Sequence, residues 1–214
     1  MRPSKSDRGS ETREQLLITA ERLFAEHGVE AVSNRQVSEA AGQSNNFAVG
    51  YHFGSKDELV LAIVRRHAES VERRRVEMFE KLAGSTDLRD WVSCLVRPTI
   101  EHLESLGGPT WYARFIAQVT TNPTLRERVT QEAFASSTLQ RLVEGMFRLV
   151  PRLPEHVHQQ RGVMCRLLIV QLCAEREREL QQGTAAPHAT WAATADVLVD
   201  ALVGLWLAPD TSRR

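Results

Sequence analysis

Residues 33–59, SNRQVSEAAGQSNNFAVGYHFGSKDEL, break a helical apolar pattern twice in quick succession. Ser33 stands three residues before Gln36, the spacing at which a serine hydroxyl and a glutamine side chain satisfy the free amides of a helix start between them. It opens a short helix whose Val37, Ala40 and Ala41 face inward and which Gly42 ends. Ser44 is placed to cap a very short helix from about Asn45 to His52, closed by Gly54 and Ser55. Ser55, followed by Asp57 and Glu58, then starts a long helix through Leu59, Ile63 and His67 as far as Lys81. Helices this short build little core. They suit the presentation of a few side chains to something outside the chain.

Upstream, Leu16, Ile18, Ala20, Leu23 and Phe24 mark a helix from about Thr12 to His27, with Glu11 and Glu14 in its first turn and Gly28 as its stop. A helix on either side of a helix, turn and two-turn helix is the helix-turn-helix plan. Such a second helix lies in a DNA major groove roughly 12 Å wide, its first residues meeting base edges and phosphates. Asn45 and Asn46 suit that role, because an amide side chain carries a donor and an acceptor; they are equally suited to plain capping.

Composition frames this reading. The chain has 214 residues, 42% hydrophobic and 6% aromatic, and its formal net charge is zero. That supports a helical core and does not by itself announce a nucleic-acid partner. Through Arg66, nine basic residues face nine acidic ones. DNA binding therefore depends on local placement, with Arg2, Lys5 and Arg8 either reaching DNA or forming a solvated tail. The polar N-terminus holds no signal-peptide segment, and the apolar run from Leu198 to Ala208 is too short to span a bilayer, so a cytoplasmic chain without a membrane partner is expected. Cys94, Cys165 and Cys173 have no metal-binding spacing, and on one helix the last two stand roughly 12 Å apart, beyond disulfide reach.

After a break at Ala83–Thr86, helices are expected over 87–106, 110–121, 124–150, 155–182 and 188–207, separated by glycine and proline clusters. Candidate cavity residues in this half are Trp91, Cys94, Trp111, Tyr112, Phe115, Phe134, Met146 and Phe147, with His102 and Arg114 as polar anchors; each also has a plain packing or surface reading. The segment from Val163 to Ala174 is apolar almost all round. The last helix carries a stripe of Trp191, Ala195, Leu198, Leu202 and Leu205, with Val199, Val203 and Trp206 beside it and small Ala201 and Gly204. Exposed in a monomer, this surface is expected to pair with a second copy of the chain. The run Glu175–Glu179, ERERE, reads as the solvated end of the preceding helix.

The run from Thr12 to Val64 resembles the DNA-binding domain of the TetR family of transcriptional regulators, over about the first quarter of the chain. The resemblance is carried by Leu23-Phe24-Ala25-Glu26-His27-Gly28, by Ser33-x-Arg35-x-Val37-x-x-Ala40-Ala41-Gly42, and by Tyr51-His52-Phe53-Gly54-Ser55-Lys56-Asp57-Glu58-Leu59. It implies a homodimer whose N-terminal domains grip two half-sites of a palindromic double-stranded DNA operator, and C-terminal helices that hold a small-molecule effector and the dimer interface. Carried over by position, His52 and Lys56 contact phosphates, Arg35, Ser44, Asn45, Asn46, Phe47 and Ala48 form the reading surface, and Tyr51 and Phe53 pack the small domain. Gly50 replaces the tyrosine common in the family, leaving room either for a close backbone approach to a phosphate or for internal packing, and the turn from Gln43 to Ala48 is one residue longer than the commonest pattern.

His156-x-His158 lacks a third ligand, and no hydrolase, phosphate-loop or dinucleotide fingerprint is present, so neither catalysis nor a cofactor or metal is expected. The expectation is an all-α chain with a flexible arm (1–10), a helix-turn-helix domain (11–54), a connecting helix (55–81) and an effector-binding and dimerisation domain (82–210). It acts as a ligand-responsive regulator, and the rival is a helical small-molecule-binding or interaction protein without sequence-specific DNA binding.

Overall fold

A computed structural model describes residues 5–82 and 84–211. Among them the elements are helices alone: α1 (Lys5–His27), α2 (Asn34–Ala40), α3 (Ala48–Phe53), α4 (Lys56–Lys81), α5 (Leu88–Leu106), α6 (Tyr112–Val119), α7 (Pro123–Phe134), α8 (Ser137–Leu149), α9 (Glu155–Gln182) and α10 (Trp191–Leu207). Helix α1 starts seven residues before the expected Thr12, so residues 5–10 of the expected flexible arm are helical. Once Leu16, Leu17 and Ala20 anchor the helix in the core, extending it backwards adds one hydrogen bond per residue, and Gly9 alone opposes that by about 1 kcal/mol. Arg2, the side chains of Lys5 and Arg8, and Ala83 of the expected break lie outside what the structure describes.

Helix α4 begins where its cap predicts, with the Ser55 hydroxyl accepting from the Glu58 amide at 3.1 Å, and it ends at Lys81. The helix expected over 124–150 is two. Asn122 caps α7 through the Leu125 amide, and Ser136 caps α8 through the Leu139 amide at 3.0 Å. The second cap turns the chain so that Leu139, Leu142 and Met146 are buried, where a straight helix would carry them away from the core.

One continuous core joins α1 to α4 with α5, α6, α9 and α10. Helix α5 is central, lying against α4, α8 and α10, and it runs through Pro98, whose missing amide is outweighed by buried Val92, Val96, Ile100 and Leu103. Helix α6 sits between α1 and α9. Its capping position, Trp111, offers no side-chain bond, and the work falls to Glu177 of α9. That carboxylate, almost fully buried, accepts from the Thr110 hydroxyl (2.8 Å), the Ala113 and Arg114 amides (3.2 and 2.9 Å) and the Arg114 guanidinium (3.2 Å). The run ERERE is therefore not a solvated helix end, because Arg176 and Glu177 are buried. Arg114 is tied to Glu177 in the same way and is not free to anchor a ligand. At the far end of the fold, Arg161 of α9 donates to the carbonyls of Trp206 and Ala208 (3.0 and 2.8 Å), closing the end of α10.

The three cysteines are free and buried, and burial pushes the thiols of Cys94 and Cys165 up to about 11 and that of Cys173 to about 12. The stripe expected to face a second copy is largely spent within the subunit: Ala195, Leu198, Val199, Leu202 and Trp206 are buried against α5 and α9. The opposite face of α10, with Val197, Ala201, Gly204 and Leu207, is the exposed one. A helix apolar on all sides can bury only one stripe in its own chain.

Glu177→Ala is expected to lower stability by about 3 to 5 kcal/mol, since it strands the Arg114 charge and the first amides of α6. Urea unfolding should report this as a lower midpoint at an unchanged slope.

Candidate nucleic-acid interface and ligand cavity

The capping box at Ser33 is complete: its amide donates to Gln36 Oε1 at 2.8 Å and its hydroxyl accepts from the Gln36 amide at 3.2 Å. Helix α2 buries Val37 and Ser38, with Ala41 just beyond, while Ala40 is exposed. Ala40, expected to face inward, is outside, and polar Ser38 holds the inner position. Gly42 takes a φ of +69°, the left-handed conformation that glycine enters freely, and turns the chain. Helix α3 then starts at Ala48 rather than Asn45. The Asn45 side chain accepts from the Phe47 amide at 2.9 Å, forming a local turn that competes with helix, and Ser44 caps nothing.

No side chain at the start of α3 caps it, and a bond from α2 does so instead. The Val49 amide donates to the Ser38 hydroxyl at 3.4 Å, and that hydroxyl donates to the Asn34 carbonyl at 3.1 Å. With Ala48 and Val49 buried, the outer face of α3 is forced to carry Phe47, Gly50 and Tyr51. Phe47 is 81% and Tyr51 83% exposed. This corrects two expectations: Ala48 is inside, not on the reading surface, and Tyr51 does not pack the small domain. Phe53 does pack it, half-buried with the Arg13 guanidinium 4.9 Å from its ring centre. Tyr51 was legible from its place four residues after Phe47, the spacing of one helix face. An added Cβ at Gly50 would meet nothing within 4 Å, which removes the packing reading of that glycine.

Ser44, Asn45 and Asn46 are exposed beside this face. Arg35 is exposed and pairs with Glu39 at 2.7 Å, a hydrogen bond that raises its already high pKa. His52 lies edge-on to Tyr51, with ring centres 5.0 Å apart. The Lys56 ammonium donates to the Val29 carbonyl at 3.0 Å, which leaves it further donors to offer.

In the C-terminal half a cavity of about 490 Å³ opens between α4, α5, α6, α7 and α9. Val64, Val71, Leu103, Ile116 and Ile169 supply apolar wall, and its charges come mainly in pairs. Arg65 binds Glu132, its Nε donating at 3.0 Å, and Glu72 accepts from Arg75 and from the Ser136 hydroxyl at 2.6 Å. Of the aromatic candidates only Tyr112 lines this space. Phe115 is fully buried and stacks on Phe24; Trp91 packs over Gly145 and against Phe79; Cys94 lies in the core, with Arg75 O as its neighbour; Met146 is core. Phe134 and Phe147 are exposed, Phe147 with its edge on Trp206. Trp111 faces a smaller hollow beside α1 and donates to Glu26 at 3.2 Å. Aromatics fill core first. The cavity is lined instead by small apolar residues and by charged ones that read as solvated faces.

Comparison with known proteins agrees with this geometry. The family model described as bacterial regulatory proteins, tetR family, matches residues 16–63, and that described as tetracyclin repressor-like, C-terminal domain, matches residues 93–204, more than half of the chain. The chain belongs to the TetR family. The HTH-type transcriptional repressor AcnR of Corynebacterium efficiens is 37% identical over 98 residues, 44% of this chain and 52% of that protein. AcnR of Corynebacterium glutamicum matches over the same shares at 37% identity, so the chain spans about half the length of the curated relatives it matches. A TetR family transcription regulator from Marinobacter aquaeolei VT8 superposes with a TM-score of 0.58 at 17% identity, covering 92% of this chain and 97% of that one. NalD, the secondary repressor of the MexAB-OprM multidrug efflux pump in Pseudomonas aeruginosa, superposes with a TM-score of 0.54 at 22% identity over 96% and 100%. At these identities the structural likeness establishes the shared fold. No helix among the described residues is long and apolar enough to cross a membrane.

In this TetR-family chain a buried polar cluster joins the two halves. His67 of α4 lies between Glu21 of α1, 2.8 Å from its Nε2, and His102 of α5, 2.8 Å from its Nδ1. All three are buried, and Arg66 approaches the Glu21 carboxylate at 3.5 Å. His102 is thus a member of this cluster and lies outside the larger cavity. Desolvation, then His67, Arg74 and Arg66, lower its pKa from 6.5 to about 4. Folded His102 therefore binds its proton more weakly than the unfolded chain does, and stability should fall as pH drops from about 6.5 towards 4, by at most about 3 kcal/mol from this group. His102→Phe should flatten the decline of the urea midpoint between roughly pH 6.5 and 4.5.

Proposed function

We propose that the chain is a homodimeric repressor of transcription that binds a palindromic DNA operator and is modulated by a small molecule in the cavity between α4 and α9. The observation that carries the DNA-binding part is the outer face of α3. Two large aromatics and a glycine stand in water there beside Asn45 and Asn46, on a helix whose other face is locked to α2. A free-standing domain gains nothing from exposing Phe47 and Tyr51; a groove gives them thymine methyl groups and sugar edges to cover. Gly50 between them allows the α3 backbone to approach a phosphate. AcnR and NalD are repressors, which supports the same direction of regulation here.

Pairing would use α9 and α10. Val163 and Leu167, and Met164, Leu168 and Leu172, form exposed rows at four-residue spacing, continued by Val197, Ala201 and Leu207. Burying such a surface in a copy of itself is the inexpensive solution, and small Ala201 and Gly204 permit close helix approach. Two α3 helices then meet successive major-groove faces roughly 34 to 36 Å apart. Leu168→Glu is expected to shift the sedimenting species from dimer to monomer; an unchanged dimer would place the interface elsewhere.

The DNA-binding reading is tested by fluorescence anisotropy against fragments from around the chain's own gene and a genomic fragment selection, with scrambled DNA and a salt series as controls. Selective binding that weakens with salt, at two chains per site, is the expected result. Tyr51→Ala should weaken selective binding about tenfold or more, and Gly50→Ala should weaken it without loss of helix stability. Equal weak binding to every DNA would defeat the operator reading.

A further inference from the structure

We propose that Tyr112 is the polar anchor of the larger cavity and the point from which its ligand acts on α1, and that the ligand is an uncharged, mainly apolar small molecule bearing a hydrogen-bond acceptor. This rests on the regulatory reading above. Tyr112 is 8% exposed and lines the cavity, yet no described residue hydrogen-bonds its hydroxyl. That hydroxyl is not among the described side-chain atoms sealed off without a partner, so it reaches open space, and the space Tyr112 lines is the cavity, where its O–H is a donor to offer. Burial pushes the phenol further up, and it stays protonated at any working pH. The cavity's charges are mostly paired: Arg65 with Glu132, and Arg75 and Ser136 with Glu72, while Arg75 Nε is buried without a partner and Glu69 stands exposed. An anion at the paired nitrogens of Arg65 or Arg75 would have to compete with their carboxylate partners; an acceptor such as a ketone or ester carbonyl meets Tyr112 without disturbing them.

The face of the same ring carries the consequence. Tyr112 stacks on His67 with centres 3.8 Å apart and planes 16° from parallel. His67 cannot slide aside, because Glu21 of α1 holds one ring nitrogen and His102 of α5 the other. Phe115, on the same helix as Tyr112, stacks on Phe24 of α1 with centres 6.2 Å apart. A ligand that shifts Tyr112 therefore presses directly on the helix that buttresses α2 and α3, through a packed contact that has no slack.

The full chain is titrated with two apolar fluorescent probes, Nile red, which has a carbonyl acceptor, and N-phenyl-1-naphthylamine, which has none. Tyr112→Phe keeps the stack and removes the hydroxyl, and should weaken Nile red roughly five- to tenfold while leaving the second probe within about twofold. Amide hydrogen exchange over residues 16–27 is then compared with and without Nile red. It should respond in the wild type and lose that response in Glu21→Leu and in His67→Phe, both of which retain Nile red affinity. Two substitutions guard against one that merely unfolds the chain. Loss of both probes alike, or of neither, in Tyr112→Phe overturns the anchor. An undiminished exchange response in the folded Glu21→Leu or His67→Phe variants overturns the route, and failure of Nile red to bind the wild type overturns the ligand class. A response of α1 that leaves DNA affinity unaltered would count against the regulatory reading and leave the anchor and route standing.

Discussion

The buried carboxylate of Glu177 holds the start of α6, and the placement of nearly everything functional in the C-terminal half follows from it. Taking a charge out of water costs several kcal/mol, and here four hydrogen bonds, one of them from the Arg114 guanidinium, offset that cost. The result is a helix of only 8 residues with a defined start, held against α9. Its side chains divide accordingly. Tyr112, Ala113 and Ile116 turn to the cavity, and Phe115 turns to Phe24 of α1. A short helix fixed from one side and read on two others is well placed to relate a ligand to the DNA-binding half.

The same economy governs the N-terminal half. Helix α3 is too short to be stable alone, and one buried serine on α2 supplies the partner its first turn lacks. The bond sets which residues of α3 point inward. Once Ala48 and Val49 are committed, Phe47, Gly50 and Tyr51 have only the outside. A second set of contacts seats this half on the rest: Arg128 of α7 with Asp57 and Glu58, Asn122 with Glu30, Trp111 with Glu26. These pairs are partly exposed and individually weak, and they join segments that the buried Glu21–His67–His102 cluster already holds together.

Much of this was legible beforehand. The capping box at Ser33 and the cap at Ser55 are local matters, set by side chains that bond to amides within a few residues, and the glycine turns and the extent of α9, between Pro154 and Gly183, are set as locally by backbone conformation. The errors share a cause as well. Asn45 and Asn46 looked like the first turn of a helix, and a side-chain bond to the Phe47 amide drew them out of it. Ser136 looked like an interior residue of a long helix, and the burial of Leu139 and Leu142 made it a cap. The run ERERE looked solvated because five charged residues in a row usually are; a neighbouring helix with unsatisfied amides gave Glu177 a reason to be inside.

By itself, then, the order of residues determined that the chain is helical, where most helices start and stop, and that a helix-turn-helix stands at its front, because periodicity and capping act over one or two turns. Tertiary structure alone decided which face of α10 is left exposed, and that the cavity is walled by Arg65, Glu132, Glu72 and Arg75 instead of by tryptophans. Those outcomes depend on which helices meet. A side chain's burial is settled by what lies across from it, and that partner is tens of residues away in sequence.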